Sequence, residues 1–267
     1  MNQQSSGASR KSSILLQVSN LIAVFAMIII NILANALPFN GKGTGELADN
    51  ISNLFVPAGI IFSIWGVIYL TQALFAFYQL GGIAGKWEEE PEYFNQVGVF
   101  NLIASAANIT WIFLWHWEKV PLSLIPMIVL FLSLLAIYLR LDIGKAGENA
   151  SRKEKIFVQV PFSIYLGWIT VATIANVTAV LVVTGWSGWG IPESTWSVLV
   201  IIVATIITAL MLLTRRDIVY SLVILWATFG IWLKQGSGYP DIAITTIISL
   251  IIVAALAVFT AIRKYKS

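Results

Sequence analysis

The chain has 267 residues, of which 58% are hydrophobic and only 11% charged, and its mean hydropathy is +0.84. That composition excludes a soluble globular domain and fits a polytopic membrane protein. There is no cysteine, so disulfides, thiolate metal sites and cysteine nucleophiles are excluded; the net charge of +3 matters less than where the positive residues fall.

Residues 1–13 read as a short polar tail, disordered, carrying Arg10 and Lys11. The first apolar run, 14–37, has the basic lead and the Ala34-Asn35-Ala36 of a signal peptide. It is too long for the usual apolar region of one and reads as a membrane span. Residues 38–53 hold Gly41, Gly43 and Gly45 and read as a flexible connection. Further apolar runs follow at about 56–80, 97–117, 122–139, 156–183, 197–213, 218–233 and 242–262, which makes eight predicted transmembrane helices. The expected fold class is therefore an all-α integral membrane protein.

Charge placement orients these spans. With the N-terminus cytoplasmic, the inside segments hold Arg10, Lys11, Lys86, Arg140, Lys145, Arg152, Lys153, Lys155, Arg215, Arg216, Arg263, Lys264 and Lys266, against Lys42, Lys119 and Lys234 outside. A split of thirteen to three is what the positive-inside rule expects, so both termini are predicted cytoplasmic and the protein a multi-pass one of the cell membrane. The acidic run Glu88-Glu89-Glu90 reads as a solvated inside loop. All thirteen Asp and Glu residues fall in loops or at helix ends, and no Lys or Arg sits in mid-span. Ion-coupled carriers keep an ionisable group inside the bundle, so proton-coupled transport and charged-group catalysis both lose weight.

What the spans carry instead is rings and neutral amides. In the second, Phe62, Trp65, Tyr69 and Gln72 recur at helical spacing; in the third, Asn101, Ser105, Asn108, Trp111 and Trp115 form a stripe. The fifth places Pro161, Tyr165, Trp168, Ala172 and Asn176 on one face. An unpartnered amide is costly in a bilayer, so Asn176 should point at another helix or a cavity. If the three faces converge, they enclose a pocket for a flat, largely apolar ring ligand with a few polar edges. The bland alternative is that Asn108 and Asn176 are only interhelical hydrogen-bond glue. Trp117, Trp186, Trp189 and Trp196 read as interfacial belt anchors.

These stretches resemble the tryptophan-rich sensory protein (TspO/MBR, translocator protein) family. Tyr165, Trp168, Ala172, Thr173 and Asn176 are similar to its Trp-x-x-x-Ala-Thr-x-x-Asn segment, and Asn108-Ile109-Thr110-Trp111 to its Asn-x-x-Trp. Pro57, Gly59, Phe62, Trp65 and Tyr69 resemble its Pro-Pro-Gly-x-x-Phe-Gly-Pro-x-Trp-x-x-x-Tyr, departing from it at Ala58 and Ser63-Ile64 and by one residue between Phe62 and Trp65. Pro161 lies farther from Trp168 than the family's proline does. The resemblance covers 14–184 and implies a five-helix ligand-binding bundle there, followed by three additional helices and a short tail in 185–267. It implies a receptor or sensor for porphyrin, haem or a similar hydrophobic ring compound, with a permease or a porphyrin-degrading enzyme as alternatives. By carry-over Trp65, Tyr69, Asn108, Trp111, Tyr165, Trp168 and Asn176 line the pocket. No catalytic residue or metal ligand is assigned and no cofactor is required, although a porphyrin or haem could be bound. The partners expected are the lipid bilayer and the ligand, not nucleic acid, and a homodimer stays open.

The family's sterol motif is not found after the fifth span. A loose match, Leu134…Tyr138…Arg140, ends the fourth and reads as an interfacial tyrosine beside a snorkelling arginine. His116 has two readings, an axial haem ligand or a helix-end residue facing headgroups. The sequons at Asn108 and Asn176 fall inside predicted spans and are not glycosylation sites. In the last three spans Trp226, Phe229 and Gly230 are placed to pack the added helices on the bundle, glycine allowing close approach.

Overall fold

The computed structural model describes residues 2–37, 39–83, 91–145 and 150–266. Eleven α-helices run in order: α1 (Asn2–Ala36), α2 (Thr44–Asp49), α3 (Ile64–Ile83), α4 (Tyr93–Val97), α5 (Phe100–His116), α6 (Val120–Arg140), α7 (Arg152–Glu154), α8 (Val160–Val183), α9 (Glu193–Arg215), α10 (Ile218–Gln235) and α11 (Pro240–Lys266). No strand occurs among the described residues. Among the described residues, seven helices are long and apolar enough to cross a membrane. The other long one, α5, has 17 residues, at the lower edge of what spans a hydrocarbon core. Lys86 and the Glu88-Glu89-Glu90 run lie outside the described residues.

Two expectations change near the N-terminus. Residues 2–13 continue α1 as helix rather than forming a disordered tail, because each residue added to an existing helix gains a backbone bond without a new nucleation cost. The second span does not begin as α-helix at Val56. Pro57 precedes a 3-10 turn that opens at Gly59, Gly59–Ser63, and the α-helix starts at Ile64.

Five helices close into a ring in the order α3, α1, α5, α6, α8, each packed on the next and α8 back on α3. Buried residues from all five form one continuous core. Outside it, α10 packs on α8 while α9 and α11 pack on each other and on α10. The docking of α10 is close: a Cβ on Gly230 would lie 2.1 Å from Ile61 Cγ1 and 2.9 Å from Pro57 Cβ. The Gly230 carbonyl accepts from Ala58 N–H at 3.0 Å, and Trp226 Nε1 donates to the Ile61 carbonyl at 3.0 Å. Trp226 and Gly230 thus join α10 to the ring, while Trp226 and Phe229 both keep an exposed face.

The α1–α3 connection is not a loose linker. It folds over one end of the ring as a strap that includes α2, and several helices hold it. Asn40 Nδ2 donates to the His116 carbonyl at 3.1 Å, Lys42 pairs with Glu118 at 2.7 Å, and Asp49 pairs with Lys234. Asn53 Nδ2 donates to Thr178 Oγ1 at 2.6 Å, and Leu54 N–H donates to the Glu193 carboxylate at 3.2 Å. Glycines suggested freedom, but side chains elsewhere in the chain fix the segment.

At the opposite, basic end, α6 joins the hairpin between α9 and α10. Arg215 pairs with Asp142 at 2.7 Å and lies over the Tyr138 ring at 5.7 Å. Tyr138 is buried and donates to Asp217 Oδ2 at 2.9 Å, so it is not the interfacial tyrosine its neighbour Arg140 suggested. Arg140 instead donates to the carbonyls of Asn95 and Gln96 at 2.7 and 2.8 Å.

Candidate functional site: an aromatic chamber under the strap

The helical periods read from the sequence bring the three faces together. On α5, Asn101, Ser105, Asn108, Trp111 and Trp115 are all buried; on α8, so are Pro161, Tyr165, Trp168 and Asn176. Trp65 and Tyr69 of α3 are half-buried and stack at 5.6 Å. The Trp65 ring meets Tyr165 at 6.3 Å and Trp168 at 6.1 Å, both edge to face, and Phe62 meets Trp168 in the same way at 5.7 Å. Such pairs each add about 0.5–1.5 kcal/mol beyond their buried area, so the cluster is rigid. The indoles of Trp65, Trp111 and Trp168 face a common interior.

Two polar layers cross that interior. In one, Asn31 Nδ2 donates to Asn108 Oδ1 at 2.6 Å, Asn108 Nδ2 donates to the Tyr165 hydroxyl at 2.9 Å, and that hydroxyl reaches Met27 Sδ at 3.4 Å. In the other, Trp111 Nε1 donates to Asn176 Oδ1 at 3.0 Å and Asn176 Nδ2 donates to Ser123 Oγ at 3.1 Å. Both amides are satisfied by neighbouring helices, so the glue reading of Asn108 and Asn176 holds as far as their bonds go. Trp168 differs. It is 2% exposed and its Nε1–H has no hydrogen-bond partner among the described residues.

Between these layers and the strap lies a cavity of about 50 Å³. Trp65, Trp111, Trp168 and Asn176 line it, together with Trp115, Ala172 and the strap's Thr44 and Pro57. Tyr69, Asn108 and Tyr165 do not; they brace its wall from behind. Sequence reasoning missed the contributions of Thr44, Ser123 and Asn31. The recurrence of Gln17, Asn20, Val24, Met27 and Asn31 along α1 was a visible signal for the last of these.

A second, larger space of about 600 Å³ opens between α8 and α9 beside the strap. Thr173, Val177 and Leu181 of α8, Phe55 of the strap, and Trp186 and Trp196 line it. Trp196 Nε1 donates to the Gly188 carbonyl at 3.0 Å. These two tryptophans are therefore groove walls as well as interfacial residues, whereas Trp189 is 76% exposed and lines neither space. Asn53 and Thr178, bonded to each other, line this groove where the strap meets α8.

His116 fits neither of its sequence readings. It is 0% exposed, its Nδ1 lies 3.1 Å from the Phe39 carbonyl, and its Nε2 lies 3.0 Å from Thr44 Oγ1. A carbonyl can only accept, so Nδ1 carries a proton, while Nε2 is engaged with the Thr44 hydroxyl. Both nitrogens are engaged in holding the strap, and neither is left for haem iron. No cluster of three or more metal-ligating side chains occurs among the described residues.

A family model described as TSPO-like protein matches residues 17–259, which runs past the ring and through most of the three outer helices. No curated protein and no solved structure matches the chain. The resemblance carried by α3, α5 and α8 is thus extended to nearly the whole length, and the protein is a membrane member of the TSPO-like family.

Proposed function

We propose that this protein is a membrane receptor or sensor that reversibly binds a flat, hydrophobic ring compound of the tetrapyrrole class in the chamber beneath the strap. The observation that carries the reading is the Trp168 indole N–H, buried and without an acceptor in a cluster where Trp111, Asn108 and Asn176 are all bonded. An orphaned buried donor costs about 1–3 kcal/mol, and a ligand carbonyl, carboxylate or ring nitrogen would remove that cost. Aromatic walls supply contact area to a planar guest. A cavity of about 50 Å³ is far below the roughly 300–1,000 Å³ of ligand sites, so binding requires the strap to move.

The volumes favour a second reading on one point: at about 600 Å³ the groove between α8 and α9 already matches a ring ligand, so the guest would lodge there instead. A permease is less well supported, because the Asn31–Asn108–Tyr165–Met27 bonds tie α1, α5 and α8 together across the interior. An enzyme lacks a titratable pair in the chamber. The thirteen-to-three distribution of positive residues supports eight crossings of the cell membrane with both termini cytoplasmic. Within them 14–184 would form the receptor and 185–267 its accessory helices.

Titration of the purified protein with protoporphyrin IX and haem, followed by ligand absorbance, tests the reading. Trp168→Leu weakens binding and Trp189→Leu does not. Trp196→Leu separates the two spaces: it leaves affinity unchanged if the chamber is the site and lowers it if the groove is. Equal affinities for wild type, Trp168→Leu and Trp196→Leu remove both assignments.

A further inference from the structure

The groove between α8 and α9 is bounded at one end by the loop that joins them, residues 184–192. Trp186 and Trp196 line it, with ring centroids 5.2 Å apart and planes at 55°. Trp189, which does not line it, packs on both, at 5.5 Å and 78° to Trp186 and at 5.8 Å and 64° to Trp196. The loop is bent to hold these rings. Gly185, Gly188 and Gly190 all take positive φ, and Trp189 itself is held at φ 54°, a region costly for a residue with a side chain. Three indoles tilted this steeply turn ring faces in more than one direction, and an indole face attracts a cation through its quadrupole. Interfacial anchoring accounts for tryptophans at this depth but does not require a strained backbone that packs them together.

The charge of the groove has one sign. Glu193, in the first turn of α9, is the one ionisable side chain lining it among the described residues. Trp196 follows three residues later on the same helix face and lines the groove as well. Glu193 Oε1 accepts from Leu54 N–H at 3.2 Å, which holds the carboxylate toward the strap, where Asn53 and Phe55 join the lining. That bond uses one acceptor site of the carboxylate, and no lysine or arginine pairs with it among the described residues. Two of the cations at this end are already paired, Lys42 with Glu118 and Lys234 with Asp49. Lys42, Lys119 and Lys234 against Glu46, Asp49, Glu118, Glu193 and Asp241 leave the strap's end of the molecule with two net negative charges.

We propose that the groove binds a lipophilic organic cation, a quaternary ammonium or phosphonium ion with an apolar body. The body occupies the space of about 600 Å³ beside Phe55, Val177 and Leu181, and the charge sits between Glu193 and the rings of Trp186 and Trp196. An acyl chain alone would cover the apolar walls and leave the carboxylate unmet. A zwitterionic phospholipid would bring a phosphate to a lining without lysine or arginine among the described residues. Size alone admits the ring compound proposed for the chamber, but the carboxylates of protoporphyrin IX would meet Glu193. Charge therefore assigns the two spaces to different guests.

Tetraphenylphosphonium and tetraphenylborate, nearly alike in size and opposite in charge, supply the test. Each is titrated into the purified protein in neutral detergent and followed by calorimetry, with empty micelles subtracted. The phosphonium is expected to bind about tenfold more tightly than the borate. Glu193→Gln lowers phosphonium affinity about tenfold while keeping an oxygen for Leu54 N–H, and Trp186→Leu lowers it about fivefold. Asp241→Asn, which alters an acid on α11 that does not line the groove, leaves affinity unchanged and controls for general charge. Trp186→Leu keeps every charge and carries the test should Glu193→Gln misfold. Equal affinities for the two ions, or equal effects of Glu193→Gln and Asp241→Asn, overturn the site. Displacement of the phosphonium by an equal concentration of phosphatidylcholine overturns a free cation as the occupant. None of these outcomes bears on the chamber, which neither Glu193 nor Trp186 lines.

Discussion

Trp168→Phe separates a binding group from a packing group at the same position. The phenyl ring keeps most of the contact with Phe62 and Trp65 but removes the orphaned N–H and two ring carbons. Those atoms represent about 2 kcal/mol of buried apolar contact at ~0.8 kcal/mol per methylene-sized group. Against that, the unsatisfied donor costs the ligand-free protein about 1–3 kcal/mol. The two nearly cancel, so the ligand-free variant is expected within ~1 kcal/mol of wild type, where truncating a buried indole to alanine costs about 3–5 kcal/mol. Affinity should behave differently. In the bound protein the N–H has an acceptor, and losing that bond costs about 1–1.5 kcal/mol, close to tenfold in Kd. Unfolding in mixed micelles gives the first quantity and an absorbance titration with protoporphyrin IX the second. A variant destabilised by about 2 kcal/mol or more, with affinity unchanged, would refute the reasoning: the indole would be a packing residue and the ligand elsewhere.

Two further outcomes follow from the strap and the outer helices. Asn53→Ala removes the 2.6 Å bond to Thr178 and is expected to speed both uptake and release of porphyrin about fivefold in stopped-flow traces, the equivalent of one hydrogen bond; unchanged rates would mean that the strap does not gate the chamber. Gly230→Ala forces Ile61 and Pro57 aside and should lower stability by about 1–3 kcal/mol in thermal unfolding. Gly66→Ala, where a Cβ meets nothing within 4 Å, should be neutral or gain up to about 1 kcal/mol. Equal effects of the two glycine variants would show that α10 is not docked on the 3-10 turn as described.

The chamber was legible where residue type and helical period coincided. Trp65, Trp111, Trp168 and Asn176 line it, and each was found because large rings and amides stand out in an apolar span at steps of three or four. Tyr69, Asn108 and Tyr165 belong to the same faces, but whether a residue touches the cavity or braces it depends on helix rotation, which period alone does not set. The strap was illegible for a different reason. Its order comes from His116, Thr178, Glu193 and Lys234, up to 185 residues away in sequence, while its own glycines advertise freedom. His116 looked like a ligand or a headgroup contact because nothing local shows that Phe39 and Thr44 take both its nitrogens. Likewise only the fold shows Asp217, one of the acids that the sequence places in loops or at helix ends, buried against Tyr138 and Ser163.

The bonds that tie Ala58 to Gly230, Asp49 to Lys234 and Leu54 to Glu193 all cross from the ring to helices that no part of the chamber needs for its walls. A guest that lifts this segment therefore tugs on α9 and α10 together. On the proposed reading, a displacement of the strap would pass through these three links to α9 and α10. Cutting any one of the three links should leave the guest bound but its arrival unannounced.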